Sequence, residues 1–174
     1  MSGCRRSIYK GRIVDLGIER ATFPDGRQVE LEVIRHPGAS AVVPLHDDGT
    51  VTLLRQWRHA GGGMHVEVPA GCLEPGEAPE LCAARELAEE AQLQAGTLLL
   101  LAAIHTTPGF TDERIHLYLA RGLVPADGAP EADEYLHPLR VPLEEALQWT
   151  ADGRITDGKT ICALHLARRY LDQT

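Results

Sequence analysis

Residues 71–93 read GCLEPGEAPELCAARELAEEAQL, and the organisation of this stretch decides how the rest of the chain is read. The segment from Pro79 to Ala91 contains no internal glycine and is rich in Ala, Leu and Glu, the residues that form helix most readily. A helical residue turns through about 100°. With Glu86 at the origin, Glu89 falls near ~300° and Glu90 near ~40°. Leu81, Ala84, Leu87, Ala88 and Ala91 then occupy the opposite arc, so the expectation is an apolar packing face with three carboxylates on the other side. Like charges at i, i+3 and i+4 repel, more strongly where water is partly excluded. A hard divalent cation bound through oxygen would turn that repulsion into binding. An RELAEE run taken alone is equally the solvated face of a surface helix.

The spacing around the run removes that ambiguity. Gly71, five residues, Glu77, seven residues, Arg85, then Glu86-Leu87-Ala88-Glu89-Glu90 follow in a fixed order. The pattern resembles the Nudix box, Gly-x5-Glu-x7-Arg-Glu-aliphatic-x-Glu-Glu-x-Gly-aliphatic, with Gln92 standing where the last glycine belongs. The resemblance implies an α+β fold, an α/β/α sandwich with a mixed β-sheet, and hydrolysis of a nucleoside diphosphate linked to a further group. It implies Mg²⁺ as cofactor, with Mn²⁺ as the alternative. The metal ligands it implies are the Ala70 carbonyl, Glu86, Glu90 and Glu89, the last directly or through water. Arg85 and Glu77 are expected to form a structural ion pair bracing the loop on the helix. Gln92 puts the helix end in question, because a left-handed cap costs a residue with a Cβ about 1 kcal/mol or more. The helix is therefore expected to run on toward Gly96.

Flanking segments narrow the resemblance. Arg55-Gln56-Trp57-Arg58, the VEVPAG run, and Thr107 to Glu113 with Pro108 fifteen residues beyond Leu93 resemble the ADP-ribose pyrophosphatase branch. GDP-mannose and other nucleotide-sugar pyrophosphatases are the alternative reading. A non-catalytic nucleotide-sugar sensor is a third, set back by the retention of all three box glutamates. Arg58 and then Arg55 are the candidate phosphate contacts, since a guanidinium fork suits phosphate oxygens. Glu113 and Thr106 fall where relatives of this branch touch the terminal ribose or the metal-bound phosphates. The branch also places a water-activating glutamate on a loop after the box. The acidic stretch ADGAPEADE offers Glu134 first and Glu131 second, with Glu90 as a further catalytic carboxylate.

Toward the N-terminus, residues 8–35 alternate around a Pro24-Asp25-Gly26 turn, which signals an antiparallel hairpin. His36-Pro37-Gly38 breaks the chain. Residues 1–37 are therefore expected to form a β arm for dimerisation and base binding, and 38–174 the hydrolase domain. Strands are expected over Ala39–Leu45, Val51–Trp57, Met64–Val68, Leu98–His105 and Ile115–Ala120, with helices over Leu143–Trp149 and after an Asp157 N-cap.

Bulk properties exclude other classes. A net charge of −8 over 174 residues argues against nucleic-acid binding through a basic surface. The longest apolar run, Leu98 to Ile104, is too short to span a membrane. The N-terminal MSGCRRSIYKGR has no apolar core of a secretory signal. The cysteines at 4, 72, 82 and 162 form no CxxC pair, which suits a reducing cytoplasm. Gly61-Gly62-Gly63 has no following GK[ST], no HExxH occurs, and Trp57 is expected in the core or an interface. The expected partner is a nucleotide-sugar small molecule, and the expected assembly a homodimer.

Overall fold

The computed structural model describes residues 5–130 and 134–173. Three strands open the chain: β1 (Arg5–Lys10), β2 (Asp15–Thr22) and β3 (Gln28–Arg35), paired antiparallel in the order β1-β2-β3. The β2–β3 turn closes where Gly26, at φ 85°, donates its N–H to the Phe23 carbonyl. Arg5 joins Asp15 and Glu19 across this sheet, and Arg35 joins Glu19 and Asp112. The last of these ties the arm to the loop that precedes β9.

β4 (Ala39–Pro44) is the centre of the body and is buried along its whole length. It lies in a four-stranded mixed sheet ordered β7-β4-β9-β8, with β7 (Ala70–Cys72), β8 (Leu93–His105) and β9 (Arg114–Pro125). The β4–β9 pair is parallel and the other pairs are antiparallel. β5 (Thr50–Arg58), β6 (Gly63–Glu67) and β10 (Leu136–Pro142) form a three-stranded antiparallel sheet ordered β10-β5-β6.

Helices cover both faces. α1 (Pro79–Ala91) packs Ala83, Leu87 and Ala91 against Val42, Tyr118 and Ala120. α2 (Leu143–Ala151) and α3 (Gly158–Leu171) bring Ala146, Ala163, Leu164 and Ala167 onto the other side, against Val43, Leu117 and Leu119. Alternate residues of β4 and β9 thus feed two separate cores, as the two-residue period of a strand requires. The α/β/α layering agrees with the sequence reading. Asp157 caps α3 by accepting from the Thr160 N–H at 2.9 Å, worth about 1 kcal/mol.

Two expectations fail. α1 does not continue toward Gly96: it stops at Ala91, and Gln92 takes the left-handed conformation at φ 54°, ψ 40°. The packing face of α1 is also rotated. Leu81 and Ala84 are exposed, while Cys82, Ala83, Glu86, Leu87, Glu90 and Ala91 are buried. The reason is the short strand β7, absent from the sequence reading, which pairs with β4 and passes over the carboxylate side of the helix. Two of the three glutamates are therefore inside.

Candidate active site

β7 brings backbone directly against the glutamates of α1. A Cβ on Gly71 would lie 1.9 Å from Glu86 Oε1, so only glycine leaves room for that carboxylate. Next to it, the Ala70 N–H donates to Glu90 Oε2 at 2.7 Å. Glu90 is 2% exposed and Glu86 7%. Burial pushes the Glu86 carboxyl up to about 7, although the adjoining Arg85 favours its charged form. Burial likewise pushes Glu90 up to about 8, against the Ala70 hydrogen bond and with the negative charge of Glu86 adding to the rise.

Arg85 occupies the space between these acids and the loop before the helix. Its Nε and Nη2 donate to the two oxygens of Glu77 at 2.9 and 3.0 Å, the pairing read from the sequence. This fork holds Glu77 near a pKa of about 2. The same guanidinium does more than was expected. Nη1 donates to Glu86 Oε1 at 2.6 Å and to Glu89 Oε2 at 3.1 Å, and Nη2 also reaches the Cys72 carbonyl at 3.1 Å.

Among the described residues, no three His, Cys, Asp or Glu side chains are gathered closely enough to chelate an ion. The donor chemistry nevertheless fits a hard divalent cation. Glu86 and Glu90 are carboxylates held away from water, and Glu90 Oε1 is buried with no hydrogen-bond partner among the described residues. An orphaned carboxylate oxygen beside a second buried carboxylate is a donor set suited to such an ion. Glu89 is the more exposed of the three and is held by Arg85.

Ala70, Gly71, Arg85 and Glu86 border a cavity of about 1120 Å³, whose lining also includes Arg58, Thr106, Glu113, Glu134 and Lys159. Thr106 donates to Glu113 Oε2 at 2.6 Å, and His36 Nε2 lies 3.5 Å from Glu113 Oε1. Arg58 is anchored through Nε and Nη2 on the two oxygens of Glu67, each at 3.0 Å. Arg55 does not share this position. It is exposed on β5 and is not part of the lining, although Trp57, on the same face of the strand and nearer its end, is. Glu131 lies outside the described residues.

Sequence reasoning missed several of these neighbours. Trp57 is 49% exposed and lines the cavity, so it is not a core residue. Lys159, in the first turn of α3, reaches Glu67 at 2.5 Å and Asp157 at 3.1 Å. Glu67 and Lys159 are 92 residues apart, and only the placing of the first turn of α3 at the end of β6 brings them together. Burial acts to raise the Glu67 carboxyl, but the Arg58 fork and the Lys159 charge outweigh it and hold it at about 2.

The NUDIX domain family matches residues 34–164. A methanol dehydrogenase activator of Bacillus methanolicus is 38% identical over 159 residues, covering 90% of this chain and 86% of the relative. An ADP-ribose pyrophosphatase of Bacillus subtilis is 37% identical over 162 residues, covering 92% and 88%. A solved structure described as an ADP compounds hydrolase superposes with a TM-score of 0.83 over 99% of this chain and 96% of its own, at 21% identity, which shows a shared fold. With Gly71, Arg85 and Glu86 of the box on the wall of one cavity and a family match across most of its length, the chain belongs to the Nudix hydrolase family, in the branch of its ADP-ribose pyrophosphatase relatives.

Proposed function

We propose that this protein hydrolyses the diphosphate of ADP-ribose, or a related ADP-sugar, to AMP and a sugar phosphate. The observation that carries the reading is the pair of buried carboxylates, Glu86 and Glu90, under the backbone of Ala70–Gly71, with Glu86 at the wall of a cavity large enough for a nucleotide sugar. In this reading Glu86, Glu90 and the Ala70 carbonyl hold Mg²⁺, or Mn²⁺ in its place, with Glu89 as a further ligand. Bound divalent ions would lower the pKa of the attacking water and neutralise the diphosphate.

The chain's own groups divide the remaining work. Arg58, fixed on Glu67 through Nε and Nη2, turns its guanidinium to a phosphate oxygen, and a fixed fork binds without first losing side-chain freedom. Glu113 and Thr106, also on the cavity lining, take the terminal ribose. Glu134 accepts the proton of the water that attacks phosphorus, the bridging P–O bond breaks, and the departing phosphate takes up a proton. Glu77 and Arg85 keep the loop and helix in register. The arm of residues 1–37, whose Arg12 and Ile13 border the cavity, supplies the base contact and the homodimer interface. A reducing cytoplasm is the setting we infer from the free Cys72, Cys82 and Cys162.

Incubating the purified protein with Mg²⁺ and a panel of ADP-ribose, other ADP-sugars and GDP-mannose tests the reading directly. AMP and ribose 5-phosphate, separated by ion-exchange chromatography, are the expected products. Preference for GDP-mannose would move the substrate to the guanine nucleotide. No turnover of any member of the panel would overturn the enzymatic reading.

A further inference from the structure

Gln92 is where the 71–93 stretch departs from the Nudix pattern, and the fold uses it in a way the family's glycine could not. Among the described residues it is the one non-glycine with a positive φ, a conformation that costs any residue bearing a Cβ. Its backbone N–H caps α1 by donating to the Ala88 carbonyl at 3.1 Å, which glycine would do equally well. Its carbonyl accepts from the Ala126 N–H at 2.9 Å, extending the β8–β9 ladder by one bond. The side chain adds what glycine lacks: Nε2 donates to the Gly128 carbonyl at 3.2 Å. At Gly128 the loop lies directly on the last turn of α1, where an added Cβ would be 1.9 Å from the Ala88 carbonyl oxygen and 3.0 Å from the Glu89 nitrogen.

The segment from Ala126 to Gly128 is thus fastened to the end of the helix that carries Glu86, Glu89 and Glu90. Glu134 follows six residues after Gly128, lines the cavity beside Glu86, and its charge acts on both Glu86 and Glu90. We propose that Gln92 is a positioning residue, which anchors Ala126–Gly128 on the end of α1 and so sets where the chain delivers Glu134 to the cavity. The proposal rests on the reading above that Glu134 handles the proton of the attacking water. A backbone strain at the helix end is accepted in exchange for a fixed starting point of the loop.

Three variants of the full chain test it, assayed with Mg²⁺ and ADP-ribose. Gln92→Gly removes both the strain and the amide. Gln92→Glu keeps length and strain but sets an acceptor against the Gly128 carbonyl. Gly128→Ala lifts the loop off the helix without touching Gln92. Loss of one hydrogen bond predicts a fall in kcat of about 3- to 10-fold for the Gln92 variants, with KM within about twofold. Gln92→Gly should not melt at a lower temperature than the parent. In a Glu134→Gln background, Gln92→Gly should cause no further loss.

Hydrogen exchange at the 126–128 amides, measured without substrate, should be faster in Gln92→Gly. An unchanged exchange rate would overturn the anchor, whatever the substrate proves to be. Faster exchange with parental kcat, or an equal loss in the Glu134→Gln background, would overturn its link to Glu134. Failure of the parent protein to turn over any nucleotide sugar would instead count against the functional reading, and with it the link.

Discussion

Glu90 illustrates how a single side chain can be costly to the fold and necessary to the site. It is almost fully buried, one oxygen is satisfied by the Ala70 N–H, and the other has no partner among the described residues. Glu90→Gln keeps volume and shape but removes the charge, so turnover should fall by at least about 100-fold. The melting temperature in EDTA should hold or rise, because a neutral amide is easier to bury. Steady-state kinetics together with a thermal melt separate the two effects, and an active variant would remove Glu90 from the metal site. Glu67 behaves oppositely. Its carboxyl lies at about 2 in the folded protein against an ordinary 4.5, so its contribution is present above pH 4.5 and is lost as pH falls toward 2. A shift of that size corresponds to about 3 kcal/mol, to order of magnitude. Urea unfolding of Glu67→Gln should therefore show a large deficit at pH 6 that narrows steadily by pH 2.5. A pH-independent deficit would mean that the Arg58 and Lys159 pairings do not govern its stability.

At the scale of the element, α1 shows what could be read in the sequence and what could not. Its start at Pro79 and the clustering of Glu86, Glu89 and Glu90 follow from local spacing, and both are found, whereas its end at Ala91 does not follow, because Gln92 in place of glycine suggests a helix that runs on toward Gly96. The face it buries does not follow, because that depends on β7, three residues whose pairing with β4 has no local signature. A helical wheel assigns apolar residues to the inside. Here Leu81 is outside, and Glu86 and Glu90 are inside. Gln92 fails for a related reason: its left-handed turn looks unfavourable until the contacts with Ala126 and Gly128 are known. That Arg58 borders the cavity and Arg55 does not depends on how far each stands along β5 and, like the Lys159–Glu67 contact, is a product of packing. The β7–α1 junction carries its own prediction. Gly71→Ala would drive a Cβ into Glu86 Oε1, and the displaced carboxylate or strand should cost about 1–3 kcal/mol. Calorimetric titration with Mg²⁺ should also show weaker binding, since Glu86 must move. Unaltered affinity and stability would show that the junction yields without consequence.

For the whole molecule, the outstanding question is what covers the arm. In its three strands the single fully buried residue is Gly17, while Tyr9 is 60% exposed and Ile13, in the turn after β1, is 61% exposed, with Ile8 and Leu31 also open to solvent. Three strands with so little buried surface do not hold together by their own apolar contacts. The ion pairs of Arg5 and Arg35 with Asp15, Glu19 and Asp112 fix the arm's register and its attachment to the loop before β9, but leave its apolar surface uncovered. A second copy of the chain is the occupant that suits an apolar patch of this kind. Light scattering should therefore give twice the 19.0 kDa mass of one chain. Replacing both Ile8 and Tyr9 with Asp should return the monomer mass while leaving the Glu86–Glu90 site intact. Arg12 and Ile13 lie on the cavity wall, so loosening the arm should act on substrate binding first, raising KM several-fold more than it lowers kcat. A parent protein that scatters as a monomer, or a monomeric variant with parental KM, would confine the arm to a role within its own chain.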